Sequence, residues 1–260
     1  MKIQVVDPLV QLLTPYKDVD RQLMLCGVAA GLSRGRVERC AGSVSHPCSP
    51  DSGGSWGIPP VLATSEISYG EASMLVKKLL SYEPNPHESI LEHSTISFLV
   101  RCSRICTHEL VRHRHTAYTQ QSTRYCEEGD LITIIRPPYM PKSDLGDYQV
   151  GWYQVDCEVS KGVVHLVTDD VPAWVYSAAH AFASYKAARA EGVKRESARY
   201  LLPHCLSAWI MFSASFRQIR NMIRLRTAPQ AAPEIRVIFT QIRTMLNLID
   251  PVLLTGLEVP

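Results

Sequence analysis

The chain has 260 residues, of which 46% are hydrophobic and 20% are charged, and these proportions exclude a wholly disordered protein. It contains no run of about 18 apolar residues, so the sequence predicts no membrane span. The first residues contain no apolar signal core, and we therefore expect a cytoplasmic protein whose eight cysteines are mostly reduced.

The predicted elements, taken in chain order, mix strands with helices. Residues 1–32 predict a strand followed by a helix. Further strands are predicted at 96–100, 131–136 and 207–212, and further helices at 70–82, 103–121, 169–192, 215–225 and from Pro233 onward. The stretch 33–60 is dominated by Gly, Ser, Pro and Arg, which indicates a loop insert. This order predicts one α+β domain over residues 1–260.

The arginines are concentrated in two segments. Of the 19 arginines, 11 lie within residues 101–124 and 195–226, and each segment contains one acidic residue, Glu109 and Glu196 respectively. Arginine is preferred over lysine where a planar fork must grip phosphate or carboxylate. The pattern favours a buried anion site, and a basic RNA-binding surface stays open as the alternative.

Several common motifs are absent from the sequence. It contains neither a glycine-rich dinucleotide loop nor a Walker motif, so side chains must hold any nucleotide. His87 and His93 are six residues apart, whereas a zinc-protease helix needs histidines four apart. The spacing of a second set of donors matches no common zinc site, and we predict no metal. That set comprises Cys26, Cys40, His46 and Cys48.

The segment from Arg112 to Arg124 carries the strongest signal. It reads Arg-His-Arg, seven residues, Ser122, one residue, Arg124. Arg112, His113 and Arg114 can bind one phosphate group, and the Ser122 hydroxyl and the Arg124 fork can bind another. This spacing resembles the signature of the flavin-dependent thymidylate synthases.

The resemblance covers roughly residues 70–250. It includes His87-Glu88-x-x-x-Glu92-His93, Arg199-x-x-Leu202-Pro203, Arg217-x-x-x-Asn221-x-x-x-Leu225-Arg226 and Glu234-Ile235. On a helix, Arg217, Arg220, Asn221 and Arg224 fall within about 100° of one another and form one cationic face. A solvated face is sufficient to explain Arg220, but it explains Asn221 and Arg226 less well.

The resemblance implies a methyltransferase that converts dUMP to dTMP. Methylenetetrahydrofolate supplies the carbon, reduced FAD supplies the hydride, and NADPH reduces the flavin. It also implies a single α+β catalytic domain with a small antiparallel sheet, assembled as a homotetramer with FAD and dUMP sites shared between chains. Neither nucleic acid nor a membrane is an expected partner. The alternatives are a basic RNA-binding protein and a catalytically impaired family member.

The resemblance also assigns roles to individual residues. The residues expected to contact FAD are His87, Ser89, Arg112, His113, Arg114, Gln120, Ser215, Arg217 and Asn221. The residues expected to bind dUMP are Glu109, Arg112, Gln120, Gln121, Ser122, Thr123, Arg124, Arg199 and Arg226. Arg226 is the predicted catalytic residue, because it is expected to face the uracil ring and to stabilise negative charge as N3 ionises.

Three positions need comment. Glu109 and Ser215 stand where the family commonly has Gln and Asn, so their roles depart from the pattern. The order Pro203-His204-Cys205 offers no paired base to activate the thiol, and the resemblance requires no nucleophilic cysteine. We therefore predict that Cys205 is not catalytic.

Overall fold

The computed structural model describes residues 1–32, 68–150, 153–154, 164–165 and 171–257. The predicted insert at 33–60 lies outside these residues, together with Cys40, His46 and Cys48. Within the described ranges helices and short strands are mixed, which confirms the predicted α+β class. None of the described helices is both long enough and apolar enough to cross a bilayer.

The bounds of the elements are as follows. The described strands are β1 (Lys2–Val6), β2 (Leu9–Leu12), β3 (Ile96–Ser103), β4 (Ala117–Gln120), β5 (Leu131–Ile135), β6 (Gly146–Gln149), β7 (Tyr153–Gln154), β8 (Val164–His165) and β9 (Ser207–Ala214). The described α-helices are α1 (Tyr16–Leu32), α2 (Tyr69–Leu80), α3 (Arg104–Leu110), α4 (Ala173–Ala190), α5 (Arg195–Ala198), α6 (Phe216–Arg226) and α7 (Pro233–Ile249). Short 3₁₀ segments lie at Glu88–His93, Lys142–Asp144, Arg199–Leu201 and Pro251–Leu254.

The strands form three small sheets. One has the order β5-β1-β6, in which β1 pairs parallel with β5 and antiparallel with β6. A four-stranded sheet has the order β2-β3-β9-β4, and β7 pairs antiparallel with β8. The strands predicted at 96–100, 131–136 and 207–212 are confirmed as β3, β5 and β9.

The chain divides into two compact units. The first consists of Met1–Gln11, Leu99–Phe212 and Gln230–Ile238, and the second of Leu12–Phe98, Ser213–Pro229 and Phe239–Pro260. The assignment of all 260 residues to one catalytic domain stays a prediction.

In the first unit, alternate residues of β1 and β5 face the core. Ile3 lies opposite Ile132 in the parallel register, and both side chains are completely buried. Helix α4 contributes Phe182 and Tyr185, whose rings stack with centroids 5.8 Å apart. Alternate residues of the strands and one face of α4 therefore pack together in one apolar core.

In the second unit, α1 packs against α2. Helix α2 begins with a capping box, in which Ser68 and Glu71 satisfy each other's backbone N–H groups. Leu79 and Leu80 of this helix are buried, whereas Met74 is 68% exposed. The remaining core positions on α2 belong to Ala72 and Val76.

The helix predicted at 103–121 is wrong. Helix α3 ends at Leu110, a turn follows, and residues 117–120 form β4. The hydroxyl of Tyr118 donates hydrogen bonds to the carbonyls of Leu110 and His113, at 2.6 and 3.3 Å, which satisfies acceptors at the end of the helix. The β propensity of Thr116, Tyr118 and Thr119 is consistent with a strand after this turn.

Candidate functional site

The turn after α3 presents the Arg-His-Arg part of the signature. Arg112 and Arg114 are exposed, whereas His113 is only 7% exposed. The same two bonds from Tyr118 tie the carbonyls at both ends of this turn to β4. The turn therefore places two guanidinium groups in solvent on a constrained backbone, where an anionic ligand can reach them.

The polar residues that follow are held by backbone and side-chain hydrogen bonds. The Gln120 amide donates to the Thr107 hydroxyl at 3.2 Å, and the Gln121 N–H donates to the Trp209 carbonyl at 2.9 Å. The Ser122 Oγ accepts from the Arg124 N–H at 3.2 Å. These bonds restrain the conformation of residues 120–124.

The first unit contains an open cavity of about 410 Å³ that we call the cationic cavity. Its lining residues are Arg104, His108, Thr123, Arg199, Tyr200, Leu202, Pro203 and His204. Within the described part of the chain this lining includes no carboxylate, although Glu128 lies near Arg104. Two guanidinium groups, two imidazoles and two hydroxyls therefore surround one space, and this composition suits an anion.

The electrostatics of the cavity favour a negatively charged ligand. Burial lowers the pKa of Arg104, and the charge of Arg199 lowers it further, while Glu128 acts in the opposite direction. Burial also raises the pKa of Glu128, although Arg104 opposes that rise. Arg104 and Arg199 thus repel each other, and an anion placed between them reduces this repulsion.

The structure brings only some of the predicted dUMP-binding residues into this cavity. Thr123 and Arg199 line it. The guanidinium of Arg124 lies 5.7 Å from the centroid of the Tyr125 ring, and Arg124 is exposed. Glu109 lines a different cavity, of about 220 Å³.

Four polar lining residues of the cationic cavity were not predicted from the sequence: Arg104, His108, Tyr200 and His204. A signal for the first two was present, because they lie four residues apart on one helix inside the arginine-rich segment 101–124.

The second unit holds the other predicted flavin-binding residues. His87 and Ser89 are exposed at the start of the 3₁₀ segment Glu88–His93. Arg217, on α6, forms an ion pair with Glu92 of that segment. This ion pair links the 3₁₀ segment Glu88–His93 to helix α6.

Helix α6 begins and ends with residues of the predicted site. The Ser215 Oγ caps the helix by accepting from the Gln218 N–H at 3.2 Å. The Asn221 Oδ1 accepts from the Arg224 guanidinium at 3.1 Å, which orients the amide. Arg226, the last residue of the helix, is half-buried.

The interpretation of Arg220 as a solvated residue is wrong, because it is only 2% exposed. Its Nε and Nη2 atoms donate to Glu88 Oε1 at 3.2 and 3.1 Å, and its Nη1 atom donates to the Leu253 carbonyl at 2.8 Å. A buried guanidinium must be paired in this way, since an unpaired buried charge is strongly unfavourable. Arg220 therefore holds α6 against the segment that carries His87 and Ser89.

Comparison with known proteins places this arrangement in a family. A model of the family described as thymidylate synthase complementing protein matches residues 48–252. The flavin-dependent thymidylate synthase of Pyrococcus furiosus is 32% identical over 185 residues, and that of Pyrococcus abyssi is 33% identical over 175 residues. These matches cover 70% and 66% of this chain, and 65% and 61% of the relatives' own lengths.

A solved structure shows the same fold. A UMP/dUMP methylase, PolB from Streptomyces cacaoi, crystallised with 5-Br dUMP, aligns over 100% of both chains with a TM-score of 0.63 and 20% sequence identity. The family model and this likeness agree with the signature at 112–124. The chain therefore belongs to the thymidylate synthase complementing protein family.

Proposed function

We propose that the chain is a flavin-dependent thymidylate synthase, a methyltransferase that converts dUMP to dTMP. In this proposal methylenetetrahydrofolate donates the carbon, FAD is the bound cofactor, and NADPH reduces it. The observation that carries the proposal is the cationic cavity, which combines Thr123 of the signature with Arg104 and Arg199. The proposed enzyme is a cytoplasmic homotetramer whose sites are shared between chains, with no nucleic-acid or membrane partner.

The cationic cavity is the proposed site of the dUMP phosphate. A phosphate dianion offers enough acceptor oxygens for both guanidinium groups and for the Thr123 hydroxyl. Gln121, Ser122 and Arg124 are proposed to contact dUMP from the same segment. The Gln121 N–H already donates to a carbonyl, so this residue contributes its side chain. Glu109 lines another cavity, and this location does not support its predicted contact with dUMP.

The residues that we propose to contact FAD offer guanidinium, imidazole, amide and hydroxyl groups. Arg112 and Arg114 suit a pyrophosphate, because their exposed planar forks can bind it without a glycine-rich loop. When bound, the reduced flavin supplies the hydride that completes the methyl group. The chain binds and orients it through two groups of residues. One group is Arg112, His113, Arg114 and Gln120, and the other is His87, Ser89, Ser215, Arg217 and Asn221.

Ser215 remains compatible with a flavin contact even though it caps α6. A hydroxyl has one proton to donate besides its acceptor lone pairs. Because Ser215 uses a lone pair for the Gln218 N–H, its proton is available to a ligand acceptor. Substitution of the family's Asn by Ser therefore keeps one donor at this position.

The test of the function is direct. We expect purified protein incubated with FAD and then desalted to retain visible flavin absorbance. We also expect it to form dTMP when dUMP, methylenetetrahydrofolate and NADPH are added, with no product when dUMP is omitted. Protein that stays flavin-free contradicts the proposal. Salt-dependent RNA affinity without flavin favours the RNA-binding alternative, and flavin binding without dTMP formation favours an impaired family member.

We expect Arg199→Ala to raise the dissociation constant for dUMP about tenfold to a hundredfold, because a hydrogen bond to a charged group contributes about 1.5–3 kcal/mol. Arg124→Ala is expected to act in the same direction. Turnover at saturating dUMP should change little, since the phosphate contact is equal in the ground and transition states. Titration with dUMP measures the effect, and Lys194→Ala, at an exposed neighbouring position, is the control. Unchanged dUMP affinity in Arg199→Ala excludes the cationic cavity as the phosphate site.

Cys205→Ala is expected to keep most of its turnover. Burial raises the pKa of the Cys205 thiol to about 11, so the thiol is neutral and a poor nucleophile at neutral pH. The measurement is the rate of dTMP formation, compared with Cys126→Ala, which removes an exposed thiol. Complete loss of activity in Cys205→Ala, with folding and flavin binding intact, contradicts the assignment.

A further inference from the structure

Two thiols and one carboxylate lie close together where β3, α3 and α7 meet in the first unit. The sulfur atoms of Cys102 and Cys106 and a carboxylate oxygen of Glu234 all lie within 4.8 Å of one another. Both thiols are buried, and neither is part of a disulfide. The function proposed above uses none of the three residues.

We propose that Cys102, Cys106 and Glu234 form a binding site for a thiophilic divalent cation, of which Zn²⁺ is the best match. Zinc is held by cysteine sulfur at about 2.3 Å and by carboxylate oxygen at about 2.0–2.2 Å. Tetrahedral geometry then requires sulfur atoms about 3.8 Å apart, so the donors need to close by at most about 1 Å. Magnesium and calcium are excluded because they prefer sites made of oxygen ligands.

The carboxylate is already oriented as a ligand requires. The Ser103 N–H and hydroxyl donate to the two oxygens of Glu234, at 2.7 and 2.5 Å. Hydrogen bonds of this kind fix the direction of a metal-binding carboxylate in known sites. Each oxygen keeps a lone pair for a metal ion.

The charge at this site also favours a cation. Within the described part of the chain, Glu234 forms no ion pair with Lys or Arg. A buried carboxylate without a countercharge is costly, and a divalent cation beside it is attracted to its charge.

An adjoining cavity gives the ion an entry path and a fourth coordination position. This is the cavity of about 220 Å³ that Glu109 lines, and Cys106 and Glu234 also face it. The fourth ligand in our proposal is a water molecule, which the cavity can hold. Binding of Zn²⁺ releases the two thiol protons to solvent, so the net charge of the site stays at −1 and is shared over the ion and its four ligands.

Such an ion would connect the start of α7 to the β3–α3 junction. Helix α3 runs from that junction to the turn that carries Arg112 and Arg114. The inference does not depend on the proposed function, because its test measures metal binding and needs no turnover.

The experiment uses the full chain, reduced with a phosphine and stripped with a chelator. Titration with Co²⁺ is expected to give a sulfur-to-cobalt charge-transfer band that saturates at one ion per chain and disappears on addition of Zn²⁺. Cys106→Ser and Cys102→Ser are expected to lose the band. Glu234→Gln, which keeps the volume of the side chain, is expected to weaken Co²⁺ affinity at least tenfold.

Two controls make the result specific. Cys126→Ser removes an exposed thiol and should keep the full band, and Cys205→Ser should also keep it if water is the fourth ligand. Circular dichroism of each metal-free variant separates loss of the site from loss of the fold, and Glu234→Gln replaces any cysteine variant that does not fold. Absence of the band in the wild type, or an undiminished band in Cys106→Ser, overturns the proposal.

Discussion

Replacement of Arg226 by alanine is expected to lower turnover at saturating dUMP by about a hundredfold or more while leaving FAD bound. The reason is that the proposed Arg226 charge is directed at negative charge that develops on the uracil ring during reaction, and such an interaction is stronger in the transition state than in the ground state. Its position as the last residue of α6 supports this role, because the helix fixes its backbone. The measurement is the rate of dTMP formation at saturating dUMP with retained flavin absorbance.

Two further variants define the role of Arg226. Arg226→Lys is expected to restore only part of the rate, because lysine keeps the charge but not the planar fork. Arg243→Ala, which removes an exposed guanidinium from α7, is the control and should keep most of the rate. If Arg226→Ala turns over normally once it is saturated with dUMP, the residue contributes to binding alone.

The elements that the sequence predicted best are those whose own pattern determines them. Helix α6 was predicted at 215–225 and is found at Phe216–Arg226, because its apolar residues recur at helical spacing. Helix α7 begins at Pro233 as predicted, since proline suits the first position of a helix.

The errors arose where contacts that helical periodicity does not encode decide the structure. The Tyr118 hydroxyl reaches two carbonyls across the turn after α3, and no helical period contains that information. In the same way, Glu88, the partner of Arg220, is 132 residues away in the sequence. Helical spacing placed Arg220 on a cationic face, but burial depends on what packs against that face.

The cationic cavity could be predicted only in part for the same reason. Thr123 and Arg199 could be predicted because motifs contain them. The cavity is also lined by Arg104 and His108 of α3 and by His204, which precedes β9. The two arginine-rich segments therefore do not form a single solvated face. Arg104 lines a cavity and Arg220 is buried, and these locations weaken the interpretation as a basic RNA-binding surface.

The largest effect on stability is expected for Arg220→Ala. Removal of one partner from a buried ion pair costs about 3–5 kcal/mol, because it leaves the other charge uncompensated. Here the uncompensated groups are the Glu88 carboxylate and the Leu253 carbonyl, which accept three hydrogen bonds from Arg220. Chemical denaturation, with the free energy of unfolding compared between variant and wild type, measures the loss.

A double variant separates the effect of the lost pair from that of an unpaired charge. Glu88→Gln combined with Arg220→Met removes both charges, and we expect this double variant to be more stable than Arg220→Ala, since no unpaired charge remains buried. Arg224→Ala, four residues further along α6 and exposed, is the control and should change stability by no more than about 0.5 kcal/mol. A loss below about 1 kcal/mol in Arg220→Ala would show that solvent screens the pair.

If the pair holds α6 in place, partial unfolding of Arg220→Ala should release flavin before the first unit loses its structure, because α6 carries Arg217 and Asn221.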